Sequence, residues 1–144
     1  MDLDALYQDI ILDHYKHPRN YGPIASEEVL MDEENPLCGD HIRLTAAVKD
    51  GVVQSVRFDG KGCAISMASS SMMTESVIDK PIEEARGVIR SFLASMRGDH
   101  PMDPEQAGDL IALEGVKKYP LRIKCATLGW HAIETALQKI APHQ

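Results

Sequence analysis

An Asp50-Gly51 dipeptide set between two runs of alternating apolar residues is the feature that most narrows the fold. Ile42, Leu44, Ala46 and Val48 precede it, and Val52, Val56 and Phe58 continue the period of two beyond Lys49-Asp50-Gly51. Asp-Gly takes the positive φ angles of a tight turn whose twist matches the flanking strands, so the pattern predicts an antiparallel hairpin. A weaker third strand is expected around residues 29–31.

Helical periodicity surrounds this β region. Leu3, Leu6, Tyr7, Ile10 and Ile11 form the i, i+3, i+4, i+7, i+8 stripe of an amphipathic helix, with Asp2 as its N-cap and Pro18 as its stop. A Met-, Ala- and Ser-rich helix is expected from about 65 to 79. The next spans about 83 to 96, with Ala85, Val88, Ile89, Phe92, Leu93 and Met96 on one face and Gly98 at its C-cap. The stretch from Asp99 to Pro120 holds three prolines and a short helical candidate near 105–113. A last helix is expected to start near Cys125 and run to about 140, with Leu128, Ala132, Ala136 and Ile140 on one side. Strands followed by helices predict an α+β fold: a three-stranded antiparallel sheet covered by helices. No repeat, linker or low-complexity tract divides residues 1–144, which read as a single domain.

Composition narrows the function classes. Fifteen Lys and Arg against 22 Asp and Glu leave a net charge of −7, which argues against nucleic acid or an anionic membrane as partner. The apolar runs fall far short of the roughly 20 residues of a membrane span. No basic segment precedes a hydrophobic run at the start, so no signal peptide is expected and the reading is cytoplasmic. Nothing in the sequence calls for more than a monomer or weak oligomer.

Three widely spaced cysteines carry the chemistry. An odd number at 38, 63 and 125 does not suit a disulfide framework. Each lies at the expected boundary of an element rather than within an apolar stripe: Cys38 in Leu37-Cys38-Gly39-Asp40 before a strand, Cys63 after Asp59-Gly60-Lys61-Gly62, and Cys125 after Arg122-Ile123-Lys124. Helix N-termini with nearby cations favour the thiolates of Cys63 and Cys125. The alternative for any one of them is a small buried hydrophobe. Cys38 and Asp40, joined through Gly39, can face one ion, and with Cys63 and Cys125 they make four anionic ligands. Three sulfurs suit zinc or an iron–sulfur centre and disfavour magnesium or calcium. Arg122 and Lys124 either offset the residual negative charge or form an ordinary solvated pair. Only His41, among six histidines, adjoins a proposed ligand, and a solvated strand histidine accounts for it. The serines at 69–71 read as close helix packing, and Met67, Met72 and Met73 as core.

Leu37-Cys38-Gly39-Asp40, Asp59-Gly60-Lys61-Gly62-Cys63-Ala64-Ile65-Ser66 and Arg122-Ile123-Lys124-Cys125-Ala126, in this order, resemble the IscU/SufU (NifU-like N-terminal) iron–sulfur cluster assembly family. The Leu6-Tyr7 helix and the His17-Pro18-Arg19-Asn20 turn match it as well. Lys124 stands where the IscU branch has histidine, and residues 98–120 look like an insertion, so the resemblance is to the SufU branch. It implies zinc held by Cys38, Asp40, Cys63 and Cys125 at one end of the sheet. It also implies that Cys38 accepts persulfide sulfur from a pyridoxal-phosphate cysteine desulfurase, that Arg122 supports the site, and that other iron–sulfur assembly proteins are partners. Two rivals stay open. One is a scaffold for a transient [2Fe–2S] cluster at the same residues, and the other is a structural-zinc interaction module without sulfur chemistry. A metal-free cysteine hydrolase ranks last, because no histidine adjoins a cysteine in the sequence.

Overall fold

The computed structural model describes residues 3–36 and 39–141, and the hairpin forms at Asp50-Gly51. Strands β2 (Asp40–Lys49) and β3 (Val52–Lys61) pair antiparallel with Leu44 opposite Phe58. Asp50 and Gly51 have φ of 55° and 77°, the two left-handed residues that a type I′ turn demands. Strand β1 (Met31–Asn35) adds to the other side of β2, Met31 opposite Leu44, giving the order β1-β2-β3. It starts two residues later than expected and runs on to Asn35. Its acidic Asp32-Glu33-Glu34 run gives little periodic signal, so pairing with β2 fixes its place.

The helices are α1 (Leu3–Lys16), α2 (Ala64–Val77), α3 (Ile82–Met96), the single turn α4 (Pro104–Ala107) and α5 (Pro120–Ile140). Asp2, expected as the first N-cap, lies outside the described residues. Helix α3 ends as the sequence predicts. Gly98 takes φ 83°, its N–H bonds to the Ser95 carbonyl and that of Asp99 to Ala94, a Schellman ending. The helix expected near 105–113 is instead one α turn followed by a 3-10 segment over Gly108–Lys118, because Gly108 at φ 55° breaks the α pattern.

Helix α5 is corrected at its start and on its face. It begins at Pro120, five residues before Cys125, since proline is preorganised for the first helical position. It lies over β1 and β2 and also packs on α2 and α3. Covered from two sides, it buries Ala126, Trp130, Ala132, Ile133, Ala136 and Leu137, while Leu128 and Ile140 are only half-buried.

Trp130 is the centre of this core. It is fully buried and stacks on Phe92 of α3, ring centroids 4.1 Å apart and planes 13° from parallel. Its Nε1–H donates to Ser69 Oγ at 2.9 Å, and Ser69 donates to the Ala126 carbonyl at 2.6 Å. The serine run is buried: a Cβ on Gly129 would come 2.4 Å from Ser70 Oγ, so α2 and α5 meet at van der Waals distance. Met67, Met72 and Met73 are core, as the sequence predicts.

A part-buried ion pair links β2 to β3. Asp59 of β3 accepts from Arg43 Nε at 2.8 Å and a second guanidinium nitrogen at 2.7 Å, and from the Ile24 N–H at 3.0 Å. The Arg43 bond, with help from the Ile24 N–H, holds the Asp59 carboxyl below its ordinary value of 3.8. A carboxyl more acidic when folded contributes stability above the ordinary value and loses it as pH falls through the lowered one. Asp59→Asn is therefore expected to destabilise by about 1–2 kcal/mol at neutral pH, with the difference shrinking at a pH below the ordinary carboxyl value. Urea unfolding of both chains at the two pH values measures this.

Candidate functional site

The sheet delivers its two long strands to one end, where β2 begins at Asp40 and β3 finishes at Lys61. Gly62 and Cys63 then turn the chain into α2, with Cys63 as its N-cap. The Cys63 sulfur accepts the Ser66 N–H at 3.5 Å, so a thiol takes the capping place that a hydroxyl usually fills. Ser66 Oγ donates back to the Cys63 carbonyl at 3.1 Å. Asp40 is almost fully buried and its Oδ1 accepts the Cys63 N–H at 2.8 Å. Its Oδ2 lies 3.8 Å from the Cys63 sulfur. Gly62 is needed for this closeness. A Cβ there would stand 2.1 Å from Ser66 Oγ and 3.0 Å from Asp40 Oδ1.

Cys125 reaches the same point from α5. Its thiol is buried and lies 3.8 Å from the Leu121 carbonyl. The Asp40 carboxylate, the Cys63 sulfur and the Cys125 sulfur fall within 4.8 Å of one another. The chain thus brings together three side chains from positions 40, 63 and 125. Cys38 lies outside the described residues, while Gly39 beside it takes φ 74°, the freedom asked of it.

Electrostatics follow from this packing. Cys63 keeps the helix N-terminus expected for it, but Cys125 is in the second turn of α5, beyond the reach of the terminal dipole. Arg122, one turn earlier, takes over that role. The negative charge of Cys63, then a hydrogen bond to Cys125, hold its guanidinium proton more firmly than usual. Lys124 is exposed. His41 is half-exposed and pairs with Asp32 of the neighbouring strand, in line with the solvated reading.

Sequence reasoning missed a buried histidine. His14 is fully buried, joined to Ser71 and Asp109. The signal was its place one turn past Ile10 and three residues past Ile11, on the inward stripe of α1.

The fold and site define a class: a small α+β protein with a thiol–carboxylate centre where a hairpin meets two helices. The chain belongs to the NifU-like N terminal domain family, whose model matches residues 6–126. It is 46% identical over 138 residues to the zinc-dependent sulfurtransferase SufU of Bacillus subtilis, covering 96% of this chain and 93% of that one. It is 39% identical over 142 residues to the iron–sulfur cluster assembly scaffold protein IscU of Streptococcus pyogenes, covering 99% and 89%. The crystal structure of FiSufU from Fervidobacterium islandicum AW-1 superposes with a TM-score of 0.80 at 33% identity, over 94% of this chain and 99% of that one. Among the described residues no helix is long and apolar enough to cross a membrane.

Proposed function

We propose that this protein serves iron–sulfur cluster assembly as a zinc-dependent acceptor of persulfide sulfur from a cysteine desulfurase. One observation carries the reading: two thiols and a buried carboxylate from distant segments converge within 4.8 Å, with Arg122 on both sulfurs. The donor set fits the metal. Sulfur and carboxylate ligands suit zinc, and Cys38, two residues from Asp40 in the sequence, would be its fourth ligand. Bound zinc keeps these thiols deprotonated at neutral pH.

Within this frame the residues divide the work. Asp40, fixed by the Cys63 N–H, and Cys125, fixed by α5, are the rigid ligands. Cys38 is the nucleophile. Its thiolate attacks the outer sulfur of the desulfurase's cysteine persulfide. A new S–S bond forms on Cys38, the desulfurase S–S bond breaks, and the desulfurase cysteine leaves as thiolate. Arg122 offsets the negative charge that two sulfurs and a carboxylate concentrate there.

The similarity to SufU of Bacillus subtilis along nearly the whole chain supports transfer, and that to IscU of Streptococcus pyogenes supports the scaffold alternative, with a [2Fe–2S] cluster as cargo. Lys124 in place of histidine favours transfer. Incubation with a cysteine desulfurase and cysteine, followed by persulfide-trapping alkylation, decides the matter. Wild type is expected to carry label on the Cys38 peptide, and Cys38→Ser to lose both the label and the stimulation of desulfurase turnover. Unchanged turnover and sulfur transfer in Cys38→Ser would overturn the reading. Visible absorbance after anaerobic reconstitution would move it to the scaffold, because zinc protein is colourless.

A further inference from the structure

A second set of ligand-type side chains converges away from the thiol centre. Its members are His14 of α1, Glu75 of α2 and Asp109 of the 3-10 segment, and their ligating atoms lie within 4.8 Å of one another. His14 is the deep member, fully buried, while the Glu75 and Asp109 side chains are about half exposed. The ring is held from behind. Its Nδ1 is 2.8 Å from Ser71 Oγ, which also accepts the Arg19 N–H at 2.8 Å. Its Nε2 points outward, 2.9 Å from Asp109 Oδ2 and 3.7 Å from Glu75 Oε1.

Charge is unbalanced at this point. Among the described residues Asp13 and Glu75 ion-pair with Arg19, and Asp109 lies near enough to act on it electrostatically. Arg19 is engaged by Asp13 at 2.7 Å and reaches Glu75 only at 3.9 Å. Two negative charges are left facing a buried imidazole at a spot open to solvent. Metal geometry matches what is present. A divalent first-row ion with bonds of about 2.1 Å holds adjacent donors about 3 Å apart and opposite ones about 4 Å apart. The 2.9 Å between His14 Nε2 and Asp109 Oδ2 matches the adjacent spacing, and the 3.7 Å to Glu75 Oε1 falls between the two.

We propose that His14, Glu75 and Asp109 form a second, sulfur-free divalent-metal site. One imidazole nitrogen and two carboxylate oxygens select a borderline ion of the Mn(II), Fe(II) or Co(II) class, whereas the thiol centre selects a softer one. His14 binds through Nε2 with its proton on Nδ1, donated to Ser71 Oγ. The ligands come from three separate elements, so a bound ion fastens the 108–118 segment to α1 and α2. That segment leads directly into the start of α5 and Cys125.

Manganese is the probe of choice, since Mn(II) is a poor partner for thiolates. Anaerobically purified protein is titrated with Mn(II) and free metal is read from its paramagnetic resonance signal. One Mn(II) per chain is expected, with affinity lowered at least tenfold in Asp109→Asn and in Glu75→Gln. Both replace half-exposed side chains, and circular dichroism checks that each stays folded. Co(II) added to the same protein gives weak ligand-field bands without sulfur charge-transfer absorption, and Asp109→Asn removes them. No Mn(II) binding at millimolar metal, or binding that both variants leave unchanged, would overturn the proposal and leave the trio as a hydrogen-bonded tie between helices.

Discussion

Trp130→Ala is expected to destabilise the fold by about 3–5 kcal/mol, a large share of what a domain of this size possesses. Two losses add. The cavity strips Phe92 of the ring stacked 4.1 Å from it, in a core closed by α2, α3 and α5. Ser69 Oγ also loses the indole donor it takes at 2.9 Å. Trp130→Phe keeps an aromatic face on Phe92 while removing the N–H and part of the ring volume, at a smaller cost of about 1–3 kcal/mol. Thermal unfolding measures both, with a fall of roughly 10–15 °C for the alanine variant. The effect extends to the thiol centre, because Ser69 ties α2 to the Ala126 carbonyl, one residue after Cys125. A fall of only a degree or two for Trp130→Ala would contradict this account of the core.

Gly62→Ala is the smallest change expected to disable the thiol centre. A methyl group at position 62 collides with Ser66 Oγ at 2.1 Å, and rotating that hydroxyl away breaks its 3.1 Å bond to the Cys63 carbonyl. The same methyl sits 3.0 Å from Asp40 Oδ1 and displaces the carboxylate that Cys63 anchors. Ser66 orients Cys63 and Asp40 is itself a proposed ligand, and disturbing even an orienting partner typically costs 10–100-fold in metal affinity. The prediction is a loss of at least tenfold in zinc affinity, read by competition with a chromophoric chelator. Circular dichroism is expected to remain that of wild type, since the clash is local to the α2 N-terminus. Wild-type affinity in Gly62→Ala would mean that Asp40 is not held as described.

The parts of this fold that were legible in the sequence are those fixed by local physics. Asp50-Gly51 could adopt only a turn of one hand, and Gly98 only the end of a helix. The face of α3 was legible because one side alone meets the core: Ala85, Ile89, Phe92, Leu93 and Met96 are all buried. Helix α5 was read less well because it is wedged between the sheet and two helices, so burial no longer selects one stripe. Its true start was signalled by Pro120, a cue independent of apolar spacing. The 3-10 segment has no period of its own to read and takes its shape from contacts with α1 and α5. Motif order named Asp40, Cys63 and Cys125, and folding alone explains how residues so far apart come within 4.8 Å. The spacing of His14 from Ile10 and Ile11 placed it on the inward stripe of α1, but its partners Ser71 and Asp109 come from distant segments and only folding shows them.

The central claim is that Asp40 and the cysteines hold one metal ion poised for sulfur transfer. Elemental analysis of anaerobically purified wild type and Asp40→Ala tests it most directly. About one zinc per chain is predicted for wild type, with the ion reduced or readily stripped by chelator in Asp40→Ala. Well-folded wild-type protein carrying no metal, or iron with acid-labile sulfide in place of zinc, would contradict it.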